Sequence, residues 1–255
     1  MSLEDQKIIG IIPASGRATR LGPLPCSKEI FPLGMIYDEK LKKDVPQVLS
    51  HHLLKAYQKG QILDAFFLIR HDKWDIPKYF AQYPLAGMNL AYIIIDRSPS
   101  VTFTIDQVFP FAKDHVVALG FPDILFEPLD AFNQMRLKQQ QTAADVVLGL
   151  FPIEKKEKWD MVEIENSKIS GIVIKPGKTN LKYGWTLALW NSRFSEYLHE
   201  FVKVFDFDRS EGELYPGMVF QSAINSGKFQ FDYVLFEDGW CRDLGTPEDL
   251  KLGFQ

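Results

Sequence analysis

The sequence predicts an α/β fold, doubly wound around a mainly parallel mixed sheet. Three observations carry that expectation. Short, continuously apolar runs recur at 8–12, 65–69, 90–95 and 115–119, each of strand length. Segments whose apolar residues recur at helical spacing separate them, and strands apolar throughout belong to a sheet covered on both faces. The first run stops at Pro13 and opens into a loop of small residues, Ala14-Ser15-Gly16, beyond a strand's carboxyl end, where ligands of such sheets bind.

Length and composition set the bounds. The chain has 255 residues, 46% hydrophobic and 24% charged, which suits one large domain with a sizeable core, or two small ones at most. A net charge of −4 and a pI near 5.8, with no basic tract, argue against nucleic-acid binding. No stretch has the apolar length of a membrane span, and the run at Ile8 breaks too soon for a signal-peptide core. Cys26 and Cys241 lie far apart without metal spacing, so a reduced, cytoplasmic setting is expected, with no disulfide or zinc site. Oligomeric state is not visible, and a homo-oligomer stays open.

The elements follow in order. After the loop, 34–43 is polar and charged and reads as a surface excursion. Val45, Val48, Leu49, Leu53, Ala56 and Tyr57 recur at helical spacing, with Gly60 as a stop. The strand 65–69 ends at His71-Asp72, expected as a satisfied loop pair rather than a catalytic one. A helix is expected over 74–83, a strand over 90–95, the loop 98–102, and a helix from Thr102 towards Phe111. Beyond the strand 115–119 stands Asp123, a carboxylate at a buried strand's end, where an unpaired charge is costly. It suits a divalent cation, since magnesium takes one or two carboxylates plus substrate phosphates. The lesser alternative is a helix N-cap before Pro128. A helix over 128–140 and a strand over 145–151 follow. The charged turn 154–158 reads as solvated. Shorter β runs are expected at 161–165, 169–174 and 183–190, then a helix over 192–204. Gly212 to Pro216 leads into another helix, ending near Ser226-Gly227. Trp185 and Trp190 flank the 183–190 run; Trp185 could wall a ring-shaped ligand, and Trp190 reads as core.

The first loop carries the chemistry. Small side chains let backbone N–H groups approach an anion, while Arg20 offers a planar fork and Lys28 a point charge for phosphate oxygens. A Walker loop needs Gly-Lys-Ser/Thr, but Pro23 follows Gly22; a dinucleotide fingerprint needs a third glycine, but position 18 is alanine. On the loop alone, an ordinary strand-to-turn connection with solvated charges reads equally well.

The whole pattern resembles the sugar-phosphate nucleotidylyltransferases. Ala14-Ser15-Gly16-Arg17-Ala18-Thr19-Arg20-Leu21 and Ser27-Lys28-Glu29-Ile30-Phe31-Pro32-Leu33 match their opening signature. Asp123-Ile124-Leu125-Phe126 matches the second half of Gly-Asp-x-x-Phe, with Phe121 and Pro122 intervening after Gly120. Trp240-Cys241-Arg242-Asp243-Leu244-Gly245-Thr246-Pro247 is similar to the closing Trp-x-Asp-x-Gly-Thr-Pro. The resemblance is strong at both ends and weak between. Ala18 replaces a usual glycine, and would be strained if the backbone there has a positive φ.

That resemblance implies a Rossmann-like fold of the nucleotide-diphospho-sugar transferase type in a single domain 1–255. Residues 1–152 would form the nucleotide part, and 153–255 the sugar-phosphate part with the closing metal motif. It implies a nucleoside triphosphate held by Ala14, Ser15, Gly16, Arg17, Ala18 and Thr19, with Asp96 and Thr102 near the base. Asp96 and Val101 stand where the family has glutamine and glycine, so the base is not readable. The implied catalytic groups are Arg20, Lys28 and Asp123. Asp123 and Asp243 would bind Mg2+. Glu163, Lys175 and Trp185 would meet a sugar-1-phosphate; Ile174 replaces a glutamate there, leaving the sugar open. Two alternatives stand beside this enzyme: an inactive nucleotide- or sugar-sensing homologue, suggested by Ala18, Val101 and Ile174, and a glycosyltransferase using a nucleotide sugar. Neither nucleic acid nor a membrane is an expected partner.

Overall fold

The computed structural model describes residues 7–39, 41–96, 98–207 and 213–253. The first apolar run forms β1 (Ile8–Pro13), buried along its middle. A hairpin of β2 (Pro32–Asp38) and β3 (Lys43–Val48) follows, paired antiparallel. The surface excursion expected at 34–43 is part of this hairpin; residue 40 lies outside the described residues. Val45 and Val48, expected on a helix, lie on β3. Pro46 between them has no N–H for a helix interior. Helix α1 (His51–Lys59) keeps the rest of that pattern, burying Leu53, Leu54, Ala56 and Tyr57 and stopping at Gly60. Then come β4 (Asp64–Arg70), α2 (Asp75–Gln82) and β5 (Asn89–Ile95), as expected.

The helix expected from Thr102 to Phe111 is two, α3 (Val101–Asp106) and α4 (Phe109–Ala112). Pro110, in the first turn of α4, cannot donate into a continuous helix and forces a new start. Next are β6 (Val116–Leu119), β7 (Ile124–Glu127), α5 (Ala131–Thr142), β8 (Val146–Pro152), β9 (Met161–Glu165), β10 (Lys168–Val173) and β11 (Tyr183–Trp190). The chain closes with α6 (Ser192–Val204), α7 (Pro216–Ser226), β12 (Phe231–Leu235), β13 (Trp240–Asp243) and α8 (Pro247–Gly253). Gly212, expected to lead into α7, lies outside the described residues. Strands β7, β12 and β13 have no counterpart in the sequence reading. They are four or five residues long and half-buried, too short to show a period.

One mixed sheet organises the molecule, in the order β10-β9-β11-β6-β1-β4-β5, with β8 joining β11 to β12. Strands β6, β1, β4 and β5 run parallel; β11 runs antiparallel to β6 and β8. Two apolar layers cover its faces. Ile12, Leu53, Tyr57, Phe67 and Phe132 lie in one, and Ile11, Leu68, Leu119, Trp190 and Phe220 in the other. Neighbours Ile11 and Ile12 face opposite ways because side chains alternate along a strand. The Tyr57 hydroxyl reaches the carbonyls of Ile11 and Ala118, each at 2.9 Å. Its ring lies over Gly10, where a Cβ would approach within 2.6 Å, so no larger residue fits in β1 there. Apart from this sheet, β13 pairs antiparallel with β7, setting Asp243 opposite Ile124. That ribbon positions the site.

Candidate active site

Backbone pairing carries β1 one residue past its end, with the Ala14 N–H donating to Leu68 O at 2.9 Å. The chain then leaves the sheet as the small-residue loop. Ala18 has φ 52° and ψ 29°, the left-handed region, which costs a residue with a Cβ about 1–2 kcal/mol. The glycine preference at this position thus has a backbone cause. Arg17 and Arg20 are exposed on the loop.

Lys28 opens a 3-10 turn, Lys28–Ile30, and is fixed from behind. The Ser27 N–H and Oγ both donate to the Asp75 carboxylate at 2.6 Å. Glu29 and Lys73 form a buried pair at 2.7 and 2.9 Å. Burial pushes the Glu29 carboxyl above its ordinary value while Lys73 opposes the rise. So held, the Lys28 ammonium donates to Asp123 Oδ2 at 2.6 Å. Asp123 therefore meets a cation, and the N-cap of α5 is Asp130 instead.

The two expected metal carboxylates come together through β7 and β13. Beyond their register, the Leu244 N–H donates to Asp123 O at 2.9 Å. Burial pushes the Asp243 carboxyl up, and the charge of Asp123 adds to that; Lys28 and Arg20 pull it back. Gly245 lies beneath, where a Cβ would stand 2.9 Å from the Asp243 carboxylate. Only glycine leaves the carboxylate its place. The closing turn is tied down by Asp249, which accepts from Thr246 Oγ1 at 2.7 Å and Lys158 Nζ at 2.9 Å. Burial raises the Asp249 carboxyl, but bonds from Lys158 and Thr246 and the charges of Lys158 and Lys155 outweigh it, holding it at about 2. The turn 154–158, expected as merely solvated, thus anchors the closing motif. Among the described residues no group of three or more His, Cys, Asp or Glu is arranged for a metal ion. Asp123 and Asp243 offer two hard oxygen donors, a set that suits magnesium when phosphate oxygens complete the shell.

A cleft of ≈ 900 Å³ leads from this cluster to the strands β9 to β11. Lys175 stands at that far end with φ 38°, directly before Pro176. A positive φ strains a residue that carries a Cβ. The Lys175 ammonium lies 3.5 Å from the centre of the Tyr215 ring, a cation–π contact. Trp185 packs against Phe121, ring centres 6.1 Å apart. Trp190 is core, its Nε1–H donating to Ser195 Oγ at 2.9 Å.

The cleft brings together most of the expected residues: Ser15, Gly16, Arg17, Ala18, Thr19 and Arg20 from the loop, with Lys28, Asp96, Asp123, Lys175, Trp185 and Asp243. Ala14, Thr102 and Glu163 do not line it. Ala14 is buried at the sheet. Thr102 is buried and donates to Leu214 O at 2.7 Å. Glu163 is exposed on β9, opposite Gly171. His71 and Asp72 do not pair; Asp72 binds Arg70 at 2.6 Å, and His71 faces the cleft. Residues the sequence reading passed over also line the wall, among them Asp160, Lys158, Glu213 and Tyr215. Glu213 Oε1 accepts from the Val101 N–H at 3.1 Å.

No family model and no curated protein matches the chain. Solved structures do. One is assigned as a glucose-1-phosphate thymidylyltransferase of Bacillus anthracis in complex with sucrose. It is 18% identical, with a TM-score of 0.81 over 97% of this chain and 94% of that one. Another is a UTP-bound UGPase of Acinetobacter baumannii, 11% identical, with a TM-score of 0.76 over 96% and 91%. The chain has the fold of these nucleotidylyltransferases. No helix among the described residues is long and apolar enough to cross a membrane.

Proposed function

We propose that the protein joins a nucleoside triphosphate to a sugar-1-phosphate, giving a nucleoside-diphosphate sugar and pyrophosphate. One observation carries this reading. A single cleft holds Lys28, Asp123 and Asp243 at one end and Lys175 beside Trp185 at the other. The fold shared with a UTP-bound enzyme and with a protein assigned as a sugar-1-phosphate thymidylyltransferase supports it. Residues 1–152 would then serve the nucleotide, and 153–255 the sugar phosphate and the closing carboxylate.

In the reaction a phosphate oxygen of the sugar-1-phosphate attacks the α-phosphorus. The bond from that phosphorus to its bridging oxygen breaks, and pyrophosphate leaves with the electron pair. Nucleophile and leaving group are already ionised, so no strong general base is required; the barrier lies in bringing anions together. Ser15 to Thr19 supply backbone donors, and Arg20 and Lys28 stabilise the triphosphate and the departing pyrophosphate. Lys175 holds the attacking phosphate, with Trp185 against the ring. Asp96 faces the nucleotide end. Asp123 and Asp243 would hold a magnesium ion, which would supply positive charge against the phosphates.

Lys28→Ala and Asp123→Ala should each lower pyrophosphate release by roughly 10²–10³-fold. Turnover within a few-fold of the parent in either variant contradicts the reading. The strained Ala18 favours a second one, a nucleotide-sensing protein without turnover. Nucleotide binding with no product from any substrate pair would select it.

A further inference from the structure

The far end of the cleft contains two buried polar atoms that the fold leaves unmet. Asp160 is 7% exposed and Trp185 5%, and both line the cleft. Asp160 Oδ1 and Trp185 Nε1 each lack a partner of full hydrogen-bond geometry; burial pushes the Asp160 carboxyl above its ordinary value, while the charge of Lys175 and a loose contact from the indole oppose the rise. Buried side-chain polar atoms normally find partners, and an exception calls for a cause.

Poor placement is not that cause, because the carboxylate is held. Backbone amides of Lys175 and Gly217 reach it, so Asp160 ties the end of β10 to the first turn of α7. At Gly217 a Cβ would collide with Asp160 Oδ2; the absence of a side chain there makes room for the carboxylate. One oxygen serves the scaffold and the other is left over, next to an indole donor equally left over. Aromatic rings flank them, with Phe121 and Phe220 both against Trp185. Lys175 stands at the same corner, offering its ammonium.

An acceptor beside a donor is complementary to a group that is both. A hydroxyl fits, since it donates one hydrogen and accepts through its lone pairs. An ammonium has only donors, and a carbonyl only an acceptor. Apolar ring faces suit the C–H face of a sugar ring. We propose that Asp160 and Trp185 together recognise one ring hydroxyl of the sugar phosphate. The hydroxyl bridges the two atoms, donating to Asp160 Oδ1 and accepting from Trp185 Nε1. This rests on the nucleotidyl-transfer reading for the position of the phosphate at Lys175, but recognition is measurable without turnover.

The experiment measures binding of glucose-, galactose-, mannose- and N-acetylglucosamine-1-phosphate to the full chain, with magnesium and an α,β-methylene nucleoside triphosphate present. The parent, Asp160→Asn and Trp185→Phe are compared, and circular dichroism and melting confirm that each variant folds. The parent should bind at least one of the four. Each variant should weaken that binding by roughly 10–100-fold while nucleotide affinity stays within twofold. Monodeoxy analogues of the bound sugar phosphate then locate the contact. One deoxy position should cost the parent a similar factor and cost Asp160→Asn nothing further. The proposal is overturned if none of the four binds, if both variants bind as the parent does, or if Asp160→Asn loses equally against every deoxy analogue. The expected binding pattern with no pyrophosphate released from the corresponding ordinary triphosphate would contradict the nucleotidyl-transfer reading alone.

Discussion

The two ends of the cleft are built on opposite plans. At the Lys28 end the charges are already matched: Lys28 sits on Asp123 at 2.6 Å, and Lys73 sits on Glu29 at 2.7 Å beneath it. At the Lys175 end Asp160 Oδ1 and Trp185 Nε1 lack partners of full hydrogen-bond geometry. Each end also has one strained backbone, Ala18 with φ 52° and Lys175 with φ 38°. Strain of this kind persists where surrounding structure over-determines it, commonly at functional sites. The difference teaches how each end is specified. On the proposed reading, highly charged phosphates would exchange with ion pairs at one end, and a sugar ring would meet unsatisfied polar atoms and apolar faces at the other.

The largest expected effect lies at the matched end. Asp243→Asn keeps the shape of the closing turn and removes one of the two carboxylates; pyrophosphate release should fall by ~10³-fold. Lys28→Ala acts on the same pair differently. It removes a cation that holds the Asp243 carboxyl down, so the acid limb of the pH–rate profile should move to higher pH. An unmoved limb would separate Lys28 from that carboxyl.

Stability sharpens the contrast. Lys73→Met leaves the buried Glu29 without its cation and should cost about 3–5 kcal/mol in denaturant unfolding, whereas Lys175→Ala at the far end should cost less than 1 kcal/mol. Its effect belongs in kinetics, as a roughly 10–100-fold rise in KM for the sugar phosphate with the nucleotide KM unchanged.

His51 adds a pH term to the scaffold behind the Lys28 end. Its Nδ1 is buried without a partner, against the rings of Tyr79 and Phe80. Burial, then the charge of Lys55, lowers its pKa to about 4. The unfolded chain takes this proton near pH 6.5 and the folded protein only near 4. Stability therefore falls as pH falls through that window, by about 2 kcal/mol at pH 5. His51→Phe should flatten the melting temperature between pH 7 and 5. Smallest of all, Ala18→Gly should relieve the loop by about 1 kcal/mol, seen as tighter nucleotide binding; weaker binding would mean the alanine is not a burden.

The unequal legibility of the two ends has the same root. Arg20, Lys28, Asp123 and Asp243 lie in stretches whose spacing survives in one dimension, so the residues the structure clusters were readable beforehand. Parallel strands of the first half were also visible, since β1, β4 and β6 are buried runs, and β5, though it lies half-exposed at the sheet's edge, is apolar from Leu90 onwards. The Lys175 end is assembled from single residues on several elements. Asp160 precedes β9, whereas Glu163 lies three residues along it, about 10 Å away at strand rise. Placing the sugar-phosphate carboxylate at Glu163 therefore missed the one that lines the cleft. Tyr215 and Glu213 arrive from the segment before α7, and no local pattern announces them. The ribbon of β7 and β13 escaped for a related reason: its four-residue strands pair across more than a hundred residues.

The most direct measurement is product identification for the full chain with magnesium, crossing the common nucleoside triphosphates against a panel of sugar-1-phosphates. A two-ended cleft for nucleotidyl transfer predicts pyrophosphate and a nucleoside-diphosphate sugar in equal amounts from at least one pair. Silence across the panel, or release of a nucleoside diphosphate in place of pyrophosphate, would contradict it.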